Sequence, residues 1–216
     1  MDAAIVRCTR CERLAKYIRE VAGTKRRAYL DWEYWGKPVP SFGPGDARVL
    51  IVGLAPGAHG ANRTGRVFTG DSSGKFLYRA LFETGFASQP ESVSRGDGMR
   101  LVDARISCSV RCAPPDNQPL PSEIGNCRRW LVEELSLLGR VQVLVALGRI
   151  AFDDVLTIHG KKKRDFAFGH NREYSLGAGM PFLVSSYHPS QQNTSTGKLT
   201  AEMLRGVFER VRGLVR

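Results

Sequence analysis

Residues 49–71 read VLIVGLAPGAHGANRTGRVFTGD. The run opens as a buried strand, Val49 to Leu54, and then spends most of its length on glycine, small residues and arginine before ending in an acid, Asp71. Three more apolar runs read as buried strands: Asp103 to Val110, Val141 to Leu147 and Pro181 to Ser186. Stretches of helical period lie between and after them, at Lys75 to Glu83, Ile124 to Leu138, Ile150 to Ile158 and Leu199 to Val215, with Ser72 and Ser122 as N-caps. Strand and helix in alternation predict an α/β fold, with a parallel sheet covered by helices on both faces.

Ligands of such sheets bind at the carboxyl ends of the strands. GLAPGAHG follows the first strand, CSVRCAPPDN ends the second and SYHPSQQNT follows the fourth, so three polar loops are expected to converge on one edge. Residues 159–174, HGKKKRDFAFGHNREY, form a basic excursion with aromatic residues. Two readings of it stand, a phosphate-contacting hairpin and an exposed, solvated loop.

The chain has 216 residues, 42% of them hydrophobic, and no repeat, linker or low-complexity tract divides it, so a single domain 1–216 is expected. No apolar run approaches the ~18 residues of a membrane span. The opening MDAAIVRCTRCERL has no apolar signal core, which favours the cytoplasm. The net charge of +11 suits a phosphate backbone as partner; a merely solvated basic surface is the alternative. Five cysteines in such a chain point to metal or chemistry more than to disulfides, and Cys8 and Cys11 form a CxxC.

In the first loop Gly53, Gly57, Gly60 and Gly65 let main-chain N–H groups approach a flat or anionic ligand. The loop is not GxGxxG and lacks the GK[ST] of a phosphate-binding loop, which argues against nucleoside triphosphates. Phe68 either stacks on a base or closes the loop as core. Asp71 precedes a helix, as an N-cap or as a group that orients water, and the helix N-terminus is expected to keep it ionised. In YHPSQQNT, 187–194, Pro189 stiffens the turn after His188, a neutral imidazole able to donate to a developing oxyanion.

GLAPGAHGANRTGRVFTGD and HPSQQNT resemble the two signature loops of the uracil-DNA glycosylase superfamily, most closely its iron–sulphur type B branch, also called family 5. The resemblance takes in CAPPDN and the CRRWL helix start, and three separated motifs agree in order and spacing. It implies a three-layer α/β/α sandwich around a four-stranded parallel sheet. It also implies a monomeric repair enzyme that flips a damaged base from double-stranded DNA and cleaves its N-glycosidic bond without a metal. By resemblance, Asp71 positions water or stabilises the sugar cation, His188 donates to the base O2, Asn117 holds water or substrate, and Phe68 stacks on the base. Ser190, Gln191 and Gln192 line the minor groove, while Arg63 and Arg66 contact phosphates.

Leu54 and Ala55 stand where other families of the superfamily carry an acid or polar residue, beside Gly57 in the base pocket. Cys108 replaces the Asn with which uracil-selective relatives read the pyrimidine edge. Losing that reader implies a tolerant pocket, taking uracil first and also hypoxanthine or hydroxymethyluracil; plain strand packing is the other reading of Cys108. Cys8, Cys11, Cys112 and Cys127 match the ligands of the family's [4Fe–4S] cluster; the bare chemistry of four thiolates would also suit zinc.

Overall fold

The computed structural model describes residues 1–215. Two helices, α1 (Asp2–Val6) and α2 (Glu12–Thr24), precede strand β1 (Val49–Gly53). Then follow α3 (Ala61–Thr64), α4 (Ser72–Glu83), β2 (Ala104–Cys108), α5 (Pro121–Leu137), β3 (Val143–Leu147) and α6 (Arg149–Ile158). The chain ends with β4 (Arg172–Ser175), β5 (Phe182–Ser186), α7 (Gln191–Ser195) and α8 (Ala201–Leu214).

Strands β1, β2 and β3 are buried at every position, and β5 at all but its first. Their side chains divide by parity, because successive residues of a strand face opposite sides. Val49, Ile51, Ile106, Val143, Val145 and Val184 pack with Leu77 and Leu81 of α4 and with Leu204, Val207 and Phe208 of α8. Leu50, Val52, Leu144, Ala146 and Leu183 pack on the other side with Leu131 of α5 and Phe152 and Val155 of α6. Three layers result.

The sheet order is β2-β1-β3-β5-β4, with the first four strands parallel. The expected count of four is therefore corrected to five. β4 pairs antiparallel with β5 at the edge, and it comes from the basic segment 159–174. REYS has no apolar run to announce a strand; backbone pairing to β5 and the packing of Tyr174 beside Phe166 and Phe168 hold it. The register sets Gly53 opposite Cys108 and Leu147 opposite Ser186, so the carboxyl ends of the four parallel strands lie level.

Helix starts differ slightly from expectation. The N-cap of α4 is Asp71, not Ser72, and α5 begins at Pro121, with the Glu123 carboxylate accepting from the Leu120 N–H at 2.8 Å, rather than being capped by Ser122. No element is expected before Val49 from the apolar runs, yet α2 buries Leu14, Ala15, Ile18 and Val21 on one face. A small separate core joins this region to α5: Ile5, Cys127 and Trp130, with Met1 and Cys8 against them.

β2 is less apolar than its run suggests. Arg105 and Ser107 both point at Glu134 of α5, which is fully buried, with contacts of 2.6 and 2.7 Å. Arg111 completes the group, donating to Glu134 at 2.8 Å and to Ser41 at 2.6 Å. Burial alone would raise the Glu134 pKa, but Arg111 and the surrounding donors hold it below the usual carboxylate range. Among the described residues no helix is long and apolar enough to cross a membrane.

Candidate active site

The loop after β1 is shaped around one carboxylate. Asp71 caps α4, its Oδ1 accepting from the Gly74 N–H at 2.8 Å. Its Oδ2 occupies the space that side chains at Gly57 and Gly60 would fill: a Cβ built on Gly57 would lie 2.9 Å from that oxygen, and one on Gly60 only 2.0 Å. These two positions are glycine because the acid needs the room. Gly60→Ala is therefore expected to push the carboxylate out of place while leaving the sheet intact. Circular dichroism should be unchanged, and activity should fall about as far as in an Asp71 substitution; full activity in Gly60→Ala would show that the notch does not matter.

Asp71 is expected from the sequence to be a readily ionised N-cap. Burial instead raises its pKa, against the opposing pull of the Gly74 N–H, the Arg63 charge and the Ser73 N–H. The dipole and hydrogen bonds of the helix start are present, but desolvation outweighs them.

Phe68 takes a left-handed backbone conformation, φ +51°, two residues before Gly70 at φ +85°. Its ring lies against the backbone of Gly53, where an added Cβ would stand 2.7 Å from it and 3.5 Å from the Cys108 sulfur. On its other side the ring meets His188, centroid to centroid 5.7 Å at 32°. Phe68 belongs to the core and is only 8% exposed, so it closes the loop while presenting its ring to the imidazole.

His188 leaves the end of β5 and is fixed from two sides. Its carbonyl accepts from Asn193 Nδ2 at 2.8 Å, and Gly148, at φ +96° after β3, leaves just enough space for it. Burial pushes its pKa down to about 4, so the ring is neutral at physiological pH. Nδ1 is buried and has no partner among the described residues.

The two arginines of the loop have other work than expected. Arg63 is 4% exposed and packs in the corner formed by the rings of Tyr29 and Trp32, 3.9 and 4.0 Å from their centroids. It donates to the carbonyls of His59 and Gly70, each at 2.8 Å, and so ties the two ends of the loop together. Arg66, 7% exposed, is bonded to Asp97 at 2.6 Å and to Ser92 at 3.0 Å. Both side chains are thus held inside the protein by aromatic faces, carbonyls and a carboxylate, and Nη1 of Arg63 is buried without a partner among the described residues.

The remaining expected residues lie around this centre with varied contacts. Leu54, Ala55 and Gly57 are half-buried along the loop. Cys108 is buried, and desolvation raises its thiol to about 12, so it is a neutral side chain facing the Phe68 end of β1. Asn117 is exposed in a short turn with φ +57°, and its side chain makes no hydrogen bond to another described residue. Ser190 caps α7, and Gln191 and Gln192 stand exposed on its first turn. A pairing not foreseen is His59 Nδ1 with the Tyr34 hydroxyl at 3.1 Å; Tyr34 lies in a region where no apolar run gave a signal.

Away from the carboxylate, Cys8, Cys11, Cys112 and Cys127 line one cavity with Arg10, Asn126 and Trp130. Burial raises the thiols of Cys11, Cys112 and Cys127, the last to about 11, and mutual repulsion of the sulfurs raises them further. Two N–H groups already point at sulfur: the Arg111 amide at Cys127, 3.2 Å, and Asn126 Nδ2 at Cys11, 3.8 Å. Among the described residues no three His, Cys, Asp or Glu side chains are disposed to hold a single metal ion. Four cysteines gathered at one cavity, three of them with desolvated thiols and two accepting from N–H donors, fit a group that is cationic at its metals and takes sulfur ligands.

The profile of the uracil DNA glycosylase superfamily matches residues 40–212, and the chain belongs to that superfamily. Within it the chain stands with the type-5 uracil-DNA glycosylases. It is 51% identical over 201 residues to the one from Thermus thermophilus, which covers 93% of this chain and 90% of the relative. It is 47% identical over 206 residues to the one from Pyrobaculum aerophilum, covering 95% of this chain and 88% of the relative. A type-4 uracil-DNA glycosylase of Pyrobaculum aerophilum is more distant, 28% identical over 181 residues, with 82% and 81% covered.

Proposed function

We propose that this chain flips uracil out of double-stranded DNA and hydrolyses its N-glycosidic bond, leaving an abasic site. The observation that carries the reading is the contact of Phe68 with the neutral imidazole of His188, together with the carboxylate of Asp71 cradled by Gly57 and Gly60 at the end of the loop that carries Phe68.

Breaking the bond leaves positive charge on the sugar and negative charge on the departing base. Ionised Asp71 stabilises the first and orients the attacking water, whose oxygen joins the sugar carbon; the proton the water loses ends on the departed base anion, so the products are a neutral base and the hydroxyl of the abasic sugar. His188 is neutral, so its N–H donates to the base O2 as charge gathers there without giving up a proton in the ground state. Phe68 flanks the base, and Asn117 holds water or substrate. Leu54, Ala55 and Gly57 line the pocket.

Cys108 is a neutral thiol and a weak hydrogen-bonding group, so it cannot read both donor and acceptor edges of a pyrimidine. On this ground the pocket also accepts hypoxanthine and hydroxymethyluracil. Ser190, Gln191 and Gln192 at the start of α7 enter the minor groove beside the vacated site, and the net charge of +11 supplies long-range attraction. Cys8, Cys11, Cys112 and Cys127 would hold a [4Fe–4S] cluster that ties the N-terminal helices to α5.

The test is base release from duplexes carrying uracil, hypoxanthine or hydroxymethyluracil opposite each normal base, with alkali converting abasic sites to strand breaks. Release of uracil and of at least one other lesion is expected. Release of uracil alone would remove the tolerance argued from Cys108. No release from any duplex would overturn the function.

A further inference from the structure

Two buried N–H groups beside the four cysteines have no acceptor among the described residues. Arg111 is 1% exposed; Nη1 goes to Ser41, Nη2 to Glu134, and Nε has no partner. Trp130 is 7% exposed, and its Nε1 is likewise buried and unpartnered. Both residues line the cavity that Cys8, Cys11, Cys112 and Cys127 line. A buried donor left without an acceptor costs ~1–3 kcal/mol, so two at one cavity call for an explanation.

We infer that Arg111 Nε and Trp130 Nε1 are hydrogen-bond donors to the sulfur atoms of the group held by the four cysteines. The inference rests on the [4Fe–4S] reading of that cavity. It adds two side-chain donors to the two N–H···S contacts already formed by the Arg111 amide and Asn126. Donors to sulfur withdraw electron density, favour the more reduced cluster and shield the sulfurs from oxidants.

Trp130→Phe keeps the ring and deletes only the N–H; Arg111→Lys keeps the charge and deletes Nε. The purified wild type is first assayed for iron and acid-labile sulfide. The variants are then compared with it for the reduction potential of the cluster and for the rate at which visible absorbance bleaches under a fixed oxidant and chelator. Trp130→Phe should carry the same iron and sulfide, bleach about three- to tenfold faster, the effect of one hydrogen bond, and show a more negative potential. A packing defect alone would change the melting temperature without moving the potential.

Unchanged potential and bleaching in a fully loaded Trp130→Phe would overturn the inference and leave the cluster standing. Zinc in place of iron and sulfide in the wild type would overturn the cluster reading and the inference with it. Should Arg111→Lys fail to fold, Trp130→Phe decides alone.

Discussion

Asp71→Asn is expected to slow base release by about 10²–10³-fold, the size of effect seen when one preorganised electrostatic group is removed from a transition state. The protein should stay folded. Asn caps a helix as well as Asp does, so the bond from the Gly74 N–H survives. The acid is moreover held at a cost in stability. Its folded-state pKa is raised by burial, so its contribution to stability is complete at acid pH and is lost as pH rises through that raised value. At neutral pH the Asn variant should melt at the same temperature as the wild type or higher.

The same shift fixes the pH profile. Ionised Asp71 is the working form, so wild-type activity should fall off on the acid side at a pH above the ordinary carboxylate range. His188, pushed down to about 4, adds no limb near neutrality. The variant should lack the acid limb. Single-turnover rates from pH 4.5 to pH 8, with melting curves at both ends, check all three points. A variant with the full wild-type rate would shift the catalytic weight from Asp71 to His188 and the backbone.

Replacing Cys112 and Cys127 together by Ser should abolish visible absorbance and most of the soluble yield. The core joining α1 to α5 is small, three buried residues with two partly buried neighbours. Bound metal in small sites contributes on the order of 10 kcal/mol to folding, which is comparable with the whole stability of a domain. The four buried or half-buried cysteines line a cavity that apolar packing leaves open. A colourless double variant that expresses and melts like the wild type would show that nothing bound there supports the fold.

The parallel part of the sheet was legible because β1, β2, β3 and β5 are short apolar runs separated by helical period, and each observed strand lies inside its expected range. β4 was not, since a polar edge strand is defined by what it pairs with. The N-terminal helices carried a signal that was passed over: Leu14, Ile18 and Val21 recur at helical spacing. Of the three loops expected to converge, those after β1 and β5 bring Phe68 and His188 into contact, and Asp71 lies where the first of them ends. The fate of Arg63 and Arg66 was not legible, because their partners Tyr29, Trp32, Ser92 and Asp97 come from segments without periodicity. The raised pKa of Asp71 was hidden for a related reason. A one-dimensional reading shows the helix start, but not how completely the neighbouring loop excludes water.

The walls of the cysteine cavity come from two distant parts of the chain: Cys8 and Cys11 at the N-terminus, Cys112 and Cys127 just past the middle. During synthesis the first pair leaves the ribosome long before the second, and α5 must be formed before all four can face one another. Until then the early cysteines are exposed thiols with nothing to close over them, open to oxidation or to stray metal. Assembly of this centre therefore belongs to the second half of translation. Slow elongation between Cys11 and Cys127 lengthens the period of exposure, and a chain stopped before Cys127 cannot complete the site.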